Sequence, residues 1–467
     1  MDVRPTWDSE SPVSSFETER PRGMPKTDTL YLNRCQVDTP DALVEATWAH
    51  VCKLRTSILK VVDFGAGDGR FARYGRYDRY IGYEIDGQRI GSAVLPPNAE
   101  IIEKSAFDSE IDDADLCIGN PPFVRNQDLP DNWRVKVSEK LIRKTGVAIS
   151  GLANAWQYFF LLALASTKPR GLCALVIPYE WVSRPSSKAL RDYINDKRWN
   201  VGVYRLVDTT FDSVLTTSSI TIVDKAITDG KWQYFEETAA GEYRGVPSPS
   251  GTHAGVLRYA SRSETSKTGP RVMRGLSPGT QKVLTLTEGE RVRSGLLVDR
   301  DVVPCVTTLR NLPVATKELD EETFQQYYRV PGQKCWLIRT DKKPGPILSA
   351  YLDSIPPSQF QTATCLERDE WWKFKMPLIA NVLMAMSFKG NFPKIAINKI
   401  GARAVGGVYC IHNVPDDDVV RLTSALETTD VRDRIVSHAN GLRKIEVGQA
   451  NALLTDLFPS ASGSVKP

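Results

Sequence analysis

VVDFGAGDGRF, Val61 to Phe71, is an apolar run that breaks into three glycines, Gly65, Gly67 and Gly69, before the next apolar residue. A strand that delivers its chain into such a loop lets the backbone turn tightly and approach a ligand closely. Outward from it, Leu59 to Phe64, Tyr80 to Glu84, Asp115 to Gly119, Gly171 to Pro178, Val201 to Val207 and Ser218 to Val223 predict short buried strands. Helical patterns at Asp41 to Leu54, Gly151 to Thr167 and Ser186 to Lys197 fit between several of them. Alternating strands and helices predict an α/β fold, a largely parallel, doubly wound sheet with helices on both faces. Such sheets bind ligands beyond the carboxyl ends of their strands.

A chain of 467 residues is too long for one ordinary core, and two domains with tails are expected. Changes in pattern and composition place a mobile tail at 1–30, a first domain at 31–228, a second at 229–458 and a short tail at 459–467. Hydrophobic residues at 41% and charged residues at 25% are those of a soluble globular protein. The longest apolar run, around Trp156 to Ala165, contains Gln157 and reads as a core helix, so no membrane partner is expected. The N-terminus is polar and acidic where a signal peptide would be apolar. Eight scattered cysteines with no CxxC pair predict reduced thiols in a cytoplasm and no metal or disulfide frame. Four histidines make a histidine-based centre a poor expectation, and a net charge of +4 does not by itself announce a nucleic-acid binder.

The glycine spacing departs from GxGxxG, which argues against a nicotinamide cofactor. Glu84, in YIGYEID, ends the second strand and suits acceptance from ribose hydroxyls, although a solvated acid at a strand end would read alike. Beside the glycine loop, the ribose role is the better reading, and it implies a nucleoside cofactor. CIGNPPFVR, Cys117 to Arg125, ends another strand abruptly, because Pro121 and Pro122 cannot continue a sheet ladder. The Asn120 amide oxygen and the Pro121 carbonyl can each accept one hydrogen of a planar exocyclic nitrogen, while Pro122 stiffens the turn and Phe123 offers a stacking face. Arg125 reads equally as a phosphate contact or as a surface arginine.

This order of motifs resembles the gamma-class, TaqI-type, N6-adenine DNA methyltransferases of restriction-modification systems. The resemblance implies a Rossmann-like S-adenosylmethionine-dependent methyltransferase fold, a mostly parallel seven-stranded sheet, followed by a mixed α+β target recognition domain. DTPDALVEA, Asp38 to Ala46, is similar to the family motif in which Thr39 and Pro40 would enclose the methionine part of S-adenosyl-L-methionine. Asp63, Gly65, Gly67 and Glu84 would hold the rest of that cofactor. GLANAWQYFFLLALASTKPRGLCALVIPYEWV is similar to the helix and strand that follow the catalytic motif. In VDTTFDSVLTTSSITIV, Val207 to Val223, Phe211 stands where the family aromatic faces an extruded base. One motif departs: in IIEKSAFDSE, Ser105 occupies the place of the acid that binds the cofactor's adenine, and Asp108 lies three residues later, so that role stays open between them. The resemblance further implies double-stranded DNA as substrate, a flipped-out adenine, a separate cognate restriction endonuclease and a monomer.

In the second half, TTLRNL, Thr307 to Leu312, with Arg310 at its centre, resembles the start of a recognition region. WWKFKMP, from Trp371, and SFKGNFPKIAINKIGAR, from Ser387, interleave aromatics with Lys373, Lys375, Lys389, Lys394, Lys399 and Arg403. These cations suit phosphate contacts, or else form the solvated face of a β-rich module. The rival readings are an RNA or protein-glutamine N-methyltransferase, which uses the same Asn-Pro-Pro-aromatic logic, and a non-catalytic DNA specificity subunit. Cytosine N4 methylation is disfavoured, since the resembling enzymes usually carry serine in place of Asn120.

Overall fold

The computed structural model describes residues 38–207, 217–248, 260, 265, 269–435, 437–439 and 442–457. The tails expected at 1–30 and 459–467, and Phe211, lie outside the described residues. Lys60–Phe64 forms β1, buried from Val61 onward, as an apolar run covered on both faces should be. It pairs in parallel with β2, Arg79–Glu84, and with β4, Ala114–Gly119. β3, Ala99–Glu103, pairs in parallel with β2, and β5, Thr167–Pro178, with β4. The sheet continues through β6 (Asn200–Arg205), β7 (Ser218–Asp224), β8 (Trp232–Glu237) and β9 (Tyr243–Val246), in the order β3-β2-β1-β4-β5-β7-β6-β8-β9.

The sheet therefore has nine strands, where seven were expected. β8 joins β6 in parallel and β9 turns back antiparallel on β8, so strand pairing runs past residue 228. Asp-Gly and Gly-Glu, which read as a domain junction, are turns that flank β8. β3 left no apolar signature because it faces outward, with Glu100, Ile102 and Glu103 exposed.

α1, Asp41–Leu54, has the expected bounds and buries Leu43, Val44, Thr47, Trp48 and Val51. α2, Asp131–Thr145, buries only Val137 and Leu141 and is otherwise polar. α3, Ala155–Ser166, is buried nearly all round, so its continuous apolar run is that of an interior helix. α4, Lys188–Asp196, buries Leu190 and Ile194 on one stripe.

By compactness the chain forms two units. One holds the described residues up to Ile177 with Ala189–Trp199 and Ile222–Ile227. The other holds Pro178–Lys188, Asn200–Thr221 and the described residues from Thr228 onward. Within the second, a five-stranded sheet runs in the order Arg271–Arg274, Val408–His412, Val382–Ala385, Ile395–Asn398, Glu318–Leu319. A four-stranded sheet around Trp336–Ile338 packs Phe324, Tyr328 and Trp336 into its core. Ser387–Phe388, Leu442–Lys444 and Ser437–Ala439 make a small third sheet.

Candidate active site

Strand order reverses at β1: β2 and β3 lie to one side, β4 and β5 to the other. Beyond the carboxyl ends at such a switch point lies the ligand crevice of a doubly wound sheet. The β1–β4 register, Val61 against Leu116 and Val62 against Cys117, brings two loops out side by side. One is the glycine loop, with φ of +121° at Gly65 and +55° at Gly67. The other begins at Asn120. A Cβ on Gly65 would stand 3.5 Å from the Pro122 ring, so the loops touch.

Glu84 braces the glycine loop. One carboxylate oxygen accepts from Gly67 N–H at 2.9 Å, and the other from Ile85 and Asp86 N–H at 2.8 and 3.0 Å. A carboxylate offers roughly four acceptor positions, so capacity for one hydroxyl remains. Asp63 lies beneath the loop rather than in the crevice: it is buried and accepts from the Tyr80 hydroxyl at 2.8 Å. Burial pushes its carboxyl up to about 7, against the Tyr80 hydrogen bond, and the charge of Glu84 adds to the rise. Its other oxygen faces Gly119, where a Cβ would come within 2.3 Å.

Asn120 is held across the fold. Its amide nitrogen donates to the Thr39 hydroxyl at 3.0 Å, while its amide oxygen is buried and has no partner among the described residues. The segment bearing Thr39 is itself tied down, since Arg70 donates to the Thr39 carbonyl at 2.9 Å and to Asp38 at 2.7 Å. Arg89 also pairs with Asp38. Pro40 starts α1, its carbonyl accepting from Leu43 and Val44. Pro121 is buried, whereas Pro122 and Phe123 are half-buried. The chain beyond is anchored to the start of α3: Val124 accepts from Ala155 N–H at 2.9 Å and Asn154 accepts from Asn126 N–H at 2.9 Å. Arg125 is exposed and paired with Asp128 at 2.8 Å.

Ser105 opens a single turn, Ala106–Asp108, in which Asp108 N–H donates back to the Ser105 carbonyl. Lys140, from α2, hydrogen-bonds Asp108 at 2.5 Å and holds its carboxyl below the ordinary range. Tyr80, Arg70, Arg89 and Lys140 thus support the site without any motif having marked them.

The expected cations of the second unit are unlike one another. Arg310, Lys375 and Lys389 are exposed. Lys373 is exposed but paired with Glu370 at 2.8 Å, and Lys399 lies 3.7 Å from Glu318. Lys394 is a correction: its ammonium donates to the carbonyls of Pro313, Val314 and Thr316, which occupies all three N–H groups and leaves none for a phosphate. Arg403 is half-buried and donates to the Pro377 carbonyl at 2.6 Å. Among the described residues, no group of His, Cys, Asp and Glu could hold a metal ion, and no helix is long and apolar enough to cross a membrane.

Residues 93–209, which include Asn120 to Phe123, match the family model described as Eco57I restriction-modification methylase. That segment is therefore similar to a restriction-modification methylase domain. The chain is also 29% identical over 105 residues to the type II methyltransferase M.XamI of Xanthomonas campestris pv. amaranthicola, a match covering 22% of this chain and 20% of that relative. The fold resembles that of the type IIL restriction-modification enzyme MmeI, solved in complex with DNA, with a TM-score of 0.58. That likeness covers 88% of this chain and 63% of MmeI at 13% identity, and so concerns fold alone.

The cofactor expected of a methylase domain is S-adenosyl-L-methionine. The residues present fit it: a backbone cradle with positive φ and, bonded to Gly67 within it, a carboxylate with spare acceptor capacity.

Proposed function

We propose that the chain transfers a methyl group from S-adenosyl-L-methionine to N6 of an adenine flipped out of duplex DNA, as the modification activity of a restriction-modification system. The observation that carries this reading is the Asn120 amide, turned by Thr39 so that its buried oxygen has no partner among the described residues. A buried acceptor left unmade costs about 1–3 kcal/mol, which a substrate N–H would recover. An adenine amino group supplies that N–H, and the Pro121 carbonyl takes the second one. With both hydrogens accepted, the nitrogen pyramidalises and its lone pair, otherwise delocalised into the ring, is directed outward. Phe123 would stack on the base, whose extrusion costs about a few kcal/mol.

The cofactor, when bound, supplies an electrophilic methyl on a sulfonium. Gly65 and Gly67 would cradle its nucleoside, Glu84 would accept from its ribose, and Thr39 and Pro40 would hold its methionine part. The Ser105–Asp108 turn would hold its adenine. Asp63 would support the loop from beneath, through its bond with the Tyr80 hydroxyl. Positioning does most of the catalytic work, since the product ammonium loses its proton readily and no base is required before attack. The exposed cations Arg125, Arg310, Lys373, Lys375, Lys389 and Lys399 supply phosphate contacts.

The test is methylation of duplex DNA by the purified chain, the modified base being identified by mass spectrometry, beside methylome sequencing of cells expressing it. N6-methyladenine at a fixed sequence, absent with Asn120→Ala, is the expected result. Label that enters only RNA or protein, or N4-methylcytosine, would overturn the reading.

A further inference from the structure

Asp38 takes one arginine on each of its two carboxylate oxygens, all within the first unit. Arg70 donates to one oxygen at 2.7 Å and Arg89 to the other. Neither arginine belongs to the segment that carries Asp38. Arg70 opens the single turn Arg70–Arg73 that follows the glycine loop, and Arg89 lies in the short helix Gly87–Gly91 that follows β2. Both are fixed at the glycine loop. Asp68 accepts from Arg70 Nε with both of its oxygens at 3.0 Å, and also pairs with Arg73 at 3.1 Å. Arg89 packs on the loop itself, since a Cβ on Gly67 would stand 3.0 Å from its guanidinium.

Arg70 does more than pair with Asp38. Another of its nitrogens donates to the Thr39 carbonyl at 2.9 Å, and the Thr39 hydroxyl accepts from the Asn120 amide at 3.0 Å. A continuous set of bonds therefore runs from the glycine loop, through Asp38 and Thr39, to the Asn120 amide. Stability is a poor account of it. The Asp38 side chain is 51% exposed, and an ion pair so open to water contributes little to folding. Two guanidinium groups on one carboxylate nevertheless fix its place from two directions, because each makes directed N–H bonds. Where a reacting group must be aimed, a shift of about 1 Å can cost about 10²-fold in rate, so a contact minor for folding can be major for transfer.

We propose that Asp38 is a positioning residue for methyl transfer: it seats Thr39 against the glycine loop, and Thr39 in turn aims the Asn120 oxygen at the amino nitrogen. The proposal rests on the reading of Asn120 as the acceptor of that amino group. Asp38 itself touches neither substrate nor cofactor and acts only through Thr39. Its charge matters as well as its shape, because an amide in its place would offer two arginines a single acceptor oxygen.

The experiment is a double-mutant cycle on the full-length chain. The turnover number is read at saturating S-adenosyl-L-methionine and duplex DNA, and binding of S-adenosyl-L-homocysteine is read by calorimetry. Asp38→Ala is expected to lower the turnover number by about 10- to 100-fold, while affinity for S-adenosyl-L-homocysteine stays at the wild-type value. Asp38→Asn, which removes the charge and keeps the shape, shows the same split and serves in its place if the alanine variant does not fold. Asp38→Glu recovers most of the rate. In a Thr39→Val background, Asp38→Ala causes no further loss, because the residue it acts through has already lost its hydroxyl. Losses that multiply in the double variant overturn the inference. So does a loss of affinity for S-adenosyl-L-homocysteine with the turnover number unchanged, which would make Asp38 part of cofactor binding. Either result leaves the enzyme reading standing, because the wild type still methylates DNA. If the wild type methylates no duplex DNA, that reading falls and this inference with it.

Discussion

Asn120 shows how one amide can be made directional. Its nitrogen is bound to Thr39 and its buried oxygen has no partner among the described residues, so the fold itself sets the orientation. Asn120→Ala should lower the turnover number by roughly 10²–10³, the usual effect of losing one preorganised polar contact in a transition state. Duplex affinity, measured in parallel by fluorescence anisotropy, should stay near the wild-type value. Thr39→Val should lower turnover as well, while Thr39→Ser, which keeps the hydroxyl, should restore most of it. If Thr39 acts chiefly on the cofactor, the Val variant will instead raise the KM for S-adenosyl-L-methionine with little change in kcat. Asp63 gives a pH signature. Its pKa rises from 3.8 when unfolded to about 7 when folded, so its contribution to stability is complete below 3.8, declines as pH rises through that window and is gone above about 7. Asp63→Asn lacks this dependence. Relative to wild type, its urea midpoint should therefore be higher at pH 8 than at pH 5, whatever its absolute stability. Nothing in the sequence could have revealed this: Asp63 reads as one more acid beside a glycine loop, and only burial against Tyr80 and Gly119 makes it different.

Among the elements, what was legible followed from burial. β1, β2, β4 and β7 are covered on both faces, so their apolar runs located them, and α1 could be placed by its apolar stripe. β3 and α2 turn most of their residues to water and left no such trace. β8 and β9 were lost for another reason, since their flanking turns are built from the residues that also make linkers. The two site loops were the most legible part of all, because glycine and proline act on the backbone directly. Gly119 tests how closely those loops are set. Its φ of +147° and the 2.3 Å approach of a new Cβ to Asp63 should make Gly119→Ala destabilising by about 1–3 kcal/mol, as a lowered denaturation midpoint. Gly151→Ala, where a Cβ meets nothing within 4 Å, should change stability by less than about 0.5 kcal/mol.

For the whole molecule, composition announced a second half rich in cations but not which of them are available. Lys389 and Lys394 sit five positions apart in one basic stretch and differ completely in the fold. Lys394→Gln should lower stability by about 1–3 kcal/mol, because the carbonyls of Pro313, Val314 and Thr316 lose their shared donor, and should leave the salt slope of DNA binding alone. Lys389→Gln should do the reverse, reducing the slope by about 1 with an unchanged midpoint. The bond from Asn120 to Thr39 bears on how the molecule can be divided. It joins residues 81 positions apart, and the family match at 93–209 contains only one of them. A fragment cut to that match would keep the Asn-Pro-Pro-Phe motif and lose Thr39, the glycine loop and Glu84. Split between α1 and β1, the chain should yield two inactive pieces whose activity returns on mixing, since the amide of one piece takes its direction from a hydroxyl on the other.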